Sequence, residues 1–110
     1  MNSNLKDKIN EDLKRAFKSG EAGIVSALRF LLSVIKNAEL QKRTRLSKED
    51  KPAAELAKLS ELNDEETVNV ILSEIKKGEK AIVQYEKGGR PDLVLKVKSE
   101  LEILKKYLPQ

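Results

Sequence analysis

Glu100-Leu101-Glu102-Ile103-Leu104-Lys105-Lys106-Tyr107-Leu108-Pro109-Gln110 closes this 110-residue chain and decides its fold. Taken with the residues before it, the stretch places Leu93, Val97, Leu101, Leu104 and Leu108 at intervals of three and four. That spacing is one stripe of an α-helix, because side chains three and four apart share a helix face. Pro109 stops the helix, and Pro91-Asp92 opens it, since a proline in the first turn gives up an N–H that has no partner there anyway. Gly88-Gly89 is then a turn.

Moving back along the chain, Asn63-Asp64-Glu65-Glu66 is a helix start. Asn63 is suited to cap, Glu66 stands three residues later, and the acidic first turn faces the positive end of the helix dipole. The helix it opens carries Val68, Ile71, Leu72, Ile75, Ile82 and Tyr85, with Gly78 as an expected interruption that costs about 1 kcal/mol relative to alanine. A first helix places Leu5, Ile9, Leu13, Ala16 and Phe17 on one face and stops at Ser19-Gly20-Glu21. A second carries Ile24, Val25, Leu28, Leu31, Leu32, Ile35 and Ala38, flanked by Ala27, Phe30 and Val34. So wide a stripe marks a central helix touched by several neighbours. Its end, Gln41-Lys42-Arg43-Thr44-Arg45, is basic, which suits the negative pole of the dipole. Residues 47–52 read as a loop, with Pro52 at the first position of a short helix through Leu56, Leu59 and Leu62. The fold class is all-α: one compact domain of four long helices, as an antiparallel bundle or a pair of helical hairpins.

Composition narrows the function. The chain has no Cys and no His. Disulfides, His- or Cys-based zinc sites and Ser-His or Cys-His nucleophiles are therefore out of reach. No cofactor or metal is expected. With two Phe, two Tyr and no Trp, the core must be aliphatic. No apolar run approaches the ~20 residues of a membrane span, and the polar start Met1-Asn2-Ser3-Asn4 lacks the apolar centre of a signal peptide. A cytoplasmic location with no membrane partner is expected. The net charge of +4 permits nucleic-acid binding without demanding it.

Four fragments then match one family in order. They are Ile9-Asn10-Glu11-Asp12-Leu13-Lys14-Arg15-Ala16; the run from Ala27-Leu28-Arg29 to Asn37-Ala38-Glu39; Leu62-Asn63-Asp64-Glu65-Glu66 with Glu74-Ile75-Lys76-Lys77 and Gln84-Tyr85-Glu86-Lys87-Gly88-Gly89-Arg90; and Asp92-Leu93 with Glu100-Leu101-Glu102-Ile103-Leu104 and Tyr107-Leu108-Pro109. Over 1–46 and 62–110 the chain resembles the first subdomain of the YqeY family, stand-alone relatives of the GatB amidotransferase tail. The resemblance implies a helical module linked to tRNA or to tRNA-dependent amidation, with an amidotransferase or aminoacyl-tRNA synthetase as partner. Family members are described under glutamine-dependent carbon–nitrogen ligase activity. Two departures from the family pattern are expected: positions 78 and 79, Gly and Glu, are not themselves basic, and the second, smaller subdomain is absent. Residues 41–62 look like an insertion.

Against that background the basic residues are the site candidates. Lys36, Lys42, Arg43, Arg45 and Lys48 form the densest cluster, and residues 21–46 hold five basic against two acidic side chains. They suit phosphate binding, or equally a solvated helix end stabilised by the dipole. Lys14, Arg15 and Lys18 with Lys105 and Lys106 form a second basic surface, with ordinary surface charge as its alternative. No aromatic residue is expected to interleave with either cluster, so RNA contact is expected through backbone shape. Arg29, amid apolar neighbours, is either a phosphate anchor or a buried guanidinium paired to Glu11, Asp12 or Glu100. Asn37 is expected to organise hydrogen bonds inside the bundle. Glu11, Asp12, Glu39, Glu65, Glu66 and Glu74 have no recognisable ligand spacing. Tyr107 and Leu108 either pack on the bundle or leave an apolar patch for a partner or second copy. The expected function is a non-catalytic module for tRNA or its amidation machinery; the alternative is a protein-interaction or self-associating module with no RNA role.

Overall fold

In the computed structural model, which describes residues 4–48 and 51–109, the expected hairpins are the organising units. The helices are α1 (Leu5–Lys18), α2 (Ala22–Ser47), α3 (Ala53–Leu59), α4 (Asp64–Lys87) and α5 (Pro91–Lys105). No strand occurs among the described residues. α1 and α2 form one antiparallel hairpin, α4 and α5 the other, and α2 is the central element, packing against all four remaining helices. The bundle is elongated, 51 × 32 × 24 Å.

Both hairpins turn by the same device. Gly20 takes φ +71°, the Glu21 N–H bonds back to the Ala16 carbonyl at 3.0 Å, and the Gly20 N–H bonds to that of Phe17 at 3.3 Å. Gly89 takes φ +68°, the Arg90 N–H reaches the Tyr85 carbonyl at 2.9 Å, and the Gly89 N–H reaches that of Glu86 at 3.2 Å. This six-to-one plus five-to-two pairing is the Schellman motif, and its left-handed residue is glycine because any other side chain is strained there.

The start of α4 is as expected. Asn63 Oδ1 accepts the Glu66 N–H at 2.8 Å, and Glu66 Oε1 accepts the Asn63 N–H at 3.1 Å. Other boundaries shift. Pro52 caps α3 rather than lying inside it, α2 continues to Ser47, and α5 ends at Lys105, ahead of Pro109. Glu49 and Asp50 of the expected loop lie outside the described residues. α4 runs through Gly78 without a break. The glycine is there for contact instead: a Cβ at 78 would stand 2.5 Å from Leu101 Cδ2, so its absence lets α5 lie close.

The core is aliphatic: Ile9, Leu28, Leu31, Ile35, Leu62, Ile71, Ile75, Leu101 and Leu104, with Tyr107 the one aromatic. Full burial of an aliphatic side chain contributes about 1.5–3 kcal/mol, and Ile9, Leu28, Leu31, Ile35 and Ile71 are all 0% exposed. Four residues of the expected apolar faces are not in the core. Phe17 is 65%, Phe30 55%, Leu72 41% and Leu59 39% exposed.

Polar ties join the layers. The Leu5 N–H donates to Asp64 Oδ1 at 2.8 Å. Lys6 Nζ donates to Glu39 at 2.9 and 3.1 Å, and Glu39 Oε2 also accepts the Leu62 N–H at 3.0 Å. Tyr107 Oη donates to Asp12 Oδ2 at 2.6 Å. Tyr107 is thus packed on the bundle, with Leu108 partly buried beside the core. Burial, and then the Asp12 carboxylate, push the Tyr107 hydroxyl well above the ordinary tyrosine range.

Candidate nucleic-acid interface

α2 sets the positions of most of the basic candidates, and its pitch separates them. Its apolar residues Leu28, Leu31 and Ile35 face the core. Position 42 is seven residues after 35, so Lys42 points the same way. Its ammonium is held at 2.8 Å from Glu66 Oε1 and 3.2 Å from the Glu61 carbonyl, with the side chain 19% exposed. That hydrogen bond is the chief reason the Glu66 carboxyl is held below the usual carboxylate range, followed by the Asn63 N–H. Lys42 is therefore a strut between α2 and α4.

Arg29, Lys36 and Arg43 are different. They lie seven residues apart, so they share one flank of α2 at intervals of about 10 Å along the axis. All three are exposed. The single acidic residue within α2 is Glu39, and it is turned to Lys6 and the Leu62 N–H. α2 itself therefore places no acidic side chain on this basic flank. Arg45 is exposed on another side, in a shallow cleft with Gln41, Glu66 and Asn69, where its charge also helps to lower the Glu66 carboxyl. Lys48 is exposed just past the helix end.

The second expected surface also divides. Lys14 and Lys18 are exposed at the C-terminal end of α1, and Arg15 forms an ion pair with Asp12. Lys106 stands at the opposite end of α1, in a cleft with Leu5, Lys8 and Asp64.

Arg29 corrects an expectation. Its guanidinium is not buried against a carboxylate. It is exposed, and its central carbon sits 5.7 Å from the centre of the Phe17 ring. One residue after Leu28 and two before Leu31, its side chain is turned out of the core by the 3.6-residue period. Asn37 is likewise exposed, two residues past Ile35. Four of the six acidic candidates are engaged structurally: Asp12 by Arg15 and Tyr107, Glu39 by Lys6, Glu66 by Lys42, and Glu74 by Lys77 at 3.2 Å, while Glu11 and Glu65 are exposed. No group of three or more potential metal ligands occurs among the described residues. No described helix is long and apolar enough to cross a membrane.

An aromatic residue does interleave with the basic side chains, against expectation. Phe17 lies between Lys14 and Lys18 on α1 and beneath Arg29 of α2. Sequence reasoning missed it by assigning Phe17 to the core. The signal that finds the stripe is the seven-residue spacing of Arg29, Lys36 and Arg43.

The family of Yqey-like proteins, compared with this chain, matches residues 6–110. The chain belongs to the YqeY family. A relative in Schizosaccharomyces pombe, an uncharacterized protein, is 30% identical over 107 residues, which is 97% of this chain and 74% of the relative. The YqeY match includes all three cations of the α2 stripe as well as Phe17.

Proposed function

We propose that this YqeY-family chain is a non-catalytic RNA-binding module, with tRNA as the RNA and the tRNA-amidation machinery as its setting. One observation carries the reading: Arg29, Lys36 and Arg43 line an exposed flank of the central helix, on which that helix places no acidic residue. Such a row suits phosphates spaced along a backbone rather than base edges, so it selects shape over sequence. The link to tRNA comes from the kinship of YqeY proteins with the GatB tail. A chain without His or Cys, in which Asp12, Glu39, Glu66 and Glu74 are each held by a cation of the same fold, is suited to holding a substrate for a partner's chemistry. A protein-interaction role has its own support in the exposed Val83 and Leu95 of the α4–α5 hairpin.

Anisotropy of labelled total tRNA across a salt series tests the proposal. Lys36→Ala with Arg43→Ala should weaken binding and reduce the log–log salt slope by about 2, roughly 1 per phosphate contact. Lys42→Ala should leave the slope unchanged while lowering thermal stability. Absence of tRNA binding by the native chain at low salt, or a double variant that binds normally, refutes the reading.

A further inference from the structure

Phe17 stands outside the core, in the last turn of α1, with 65% of its surface in water. Two clefts meet at its ring. One, of about 270 Å³, is lined by Leu13, Lys14, Phe17, Lys18 and Arg29. The other, of about 430 Å³, is lined by Phe17, Gly20, Ala22, Val25, Ser26 and Arg29. Neither lining includes an acidic side chain. Exposing a phenyl ring forfeits the burial that its helix would otherwise gain, and three cations beside it oppose coverage by an ordinary apolar partner, which would have to desolvate them.

We infer that Phe17 and Arg29 form a stacking platform for an unpaired base of RNA, with Lys14 and Lys18 holding the adjoining phosphates. This rests on the RNA reading above and names a subsite of it. A nucleobase offers a flat π-face and a phosphate on the same ligand, and the platform offers a ring, a planar guanidinium and two ammonium groups within one turn of α1 and one residue of α2. Arg29 is also the first cation of the α2 stripe, and Lys36 follows about 10 Å along the axis. The single-stranded part of the ligand therefore lies at the α1–α2 corner, and its duplex part along α2. The ligand class is RNA carrying a junction between paired and unpaired nucleotides.

The test uses a fluorescent RNA hairpin with a short single-stranded extension, beside the same hairpin with an abasic extension. The native chain should bind the first about five- to a hundredfold more tightly, the range of one stacked base. Phe17→Ala should erase that preference and leave binding of the abasic hairpin unchanged, whereas Phe17→Trp should keep it. Circular dichroism melting should show Phe17→Ala folded as the native chain, since the side chain is outside the core. Equal binding of both hairpins by the native chain, or a preference that survives Phe17→Ala, overturns the platform. The α2 reading then stands if Lys36→Ala with Arg43→Ala weakens both hairpins. Failure of every RNA to bind overturns both proposals. Phe17-dependent binding to anionic vesicles, with no discrimination between the hairpins, also overturns the platform and assigns the corner to a membrane surface.

Discussion

Replacing Gly78 with alanine sets two effects of opposite sign against each other. In a helix interior, alanine is favoured over glycine by about 1 kcal/mol. Here the new Cβ would meet Leu101 at 2.5 Å from Cδ2, 3.2 Å from Cγ and 3.3 Å from Cδ1. Leu101 is 6% exposed, so its isobutyl group cannot swing into water without leaving the core. Overpacking of this kind costs about 1–3 kcal/mol. The net is a loss of about 1 kcal/mol, which at this chain length is a fall of roughly 4 °C in Tm. Gly23 supplies the comparison. It sits in the first turn of α2, and a methyl group added there would have nothing within 4 Å, so Gly23→Ala should stabilise by about 0.4–1 kcal/mol. Leu101→Ala alone should cost about 2–5 kcal/mol, and on that background Gly78→Ala should become favourable, because the side chain it meets is gone. Urea and thermal unfolding followed by circular dichroism give all the values. If Gly78→Ala raises Tm as Gly23→Ala does and shows no coupling to Leu101→Ala, α4 and α5 do not approach where the structure puts them.

Glu39→Ala removes the acceptor shared by Lys6 and the Leu62 N–H, and should cost about 1–3 kcal/mol by urea unfolding, the range for a hydrogen-bonded group left without its charged partner. Tyr107→Phe should cost about 1 kcal/mol and should also alter the alkaline limb of a pH–stability profile. The folded hydroxyl is held protonated well above the ordinary 10.0, so its contribution is complete below pH 10 and is lost as the pH rises above it; the variant lacks that loss. A Tyr107→Phe profile identical to the native one refutes the assignment.

Legibility differed by the range of the interaction. The Asn63–Glu66 capping box, the two glycine turns and the α2 apolar stripe are local, and the sequence states them in full. Gly78 reads as a break because helix propensity is local, while the reason for the glycine is Leu101, on another helix. Arg29 and Phe17 are misplaced for one physical reason. Each adjoins apolar residues, yet a residue's neighbours in sequence point in other directions around a helix, and the boundary of a buried stripe is set by what packs against it. The basic cluster at the end of α2 is visible as composition. Its division into Lys42 as a strut and Arg29, Lys36 and Arg43 as an exposed row requires Glu66 and the core direction to be in place.

The tie between Tyr107 and Asp12 spans 95 residues of chain, and that between Leu5 and Asp64 spans 59. Leu5 and Lys8 also share a cleft with Lys106, Tyr107, Leu108 and Pro109. In topological terms the described chain is a nearly closed ring whose gap lies beside Leu5 and Pro109. Each hairpin can form from its own nearby contacts, but the ring closes only when residues near its two ends meet. Closure entropy rises only with the logarithm of the enclosed length, so a loop this long costs little more than a moderate one. The neighbourhood of the helices, more than their order along the chain, defines this architecture, and the Gly20 and Gly89 turns are two points at which the chain could be opened without dividing a helix.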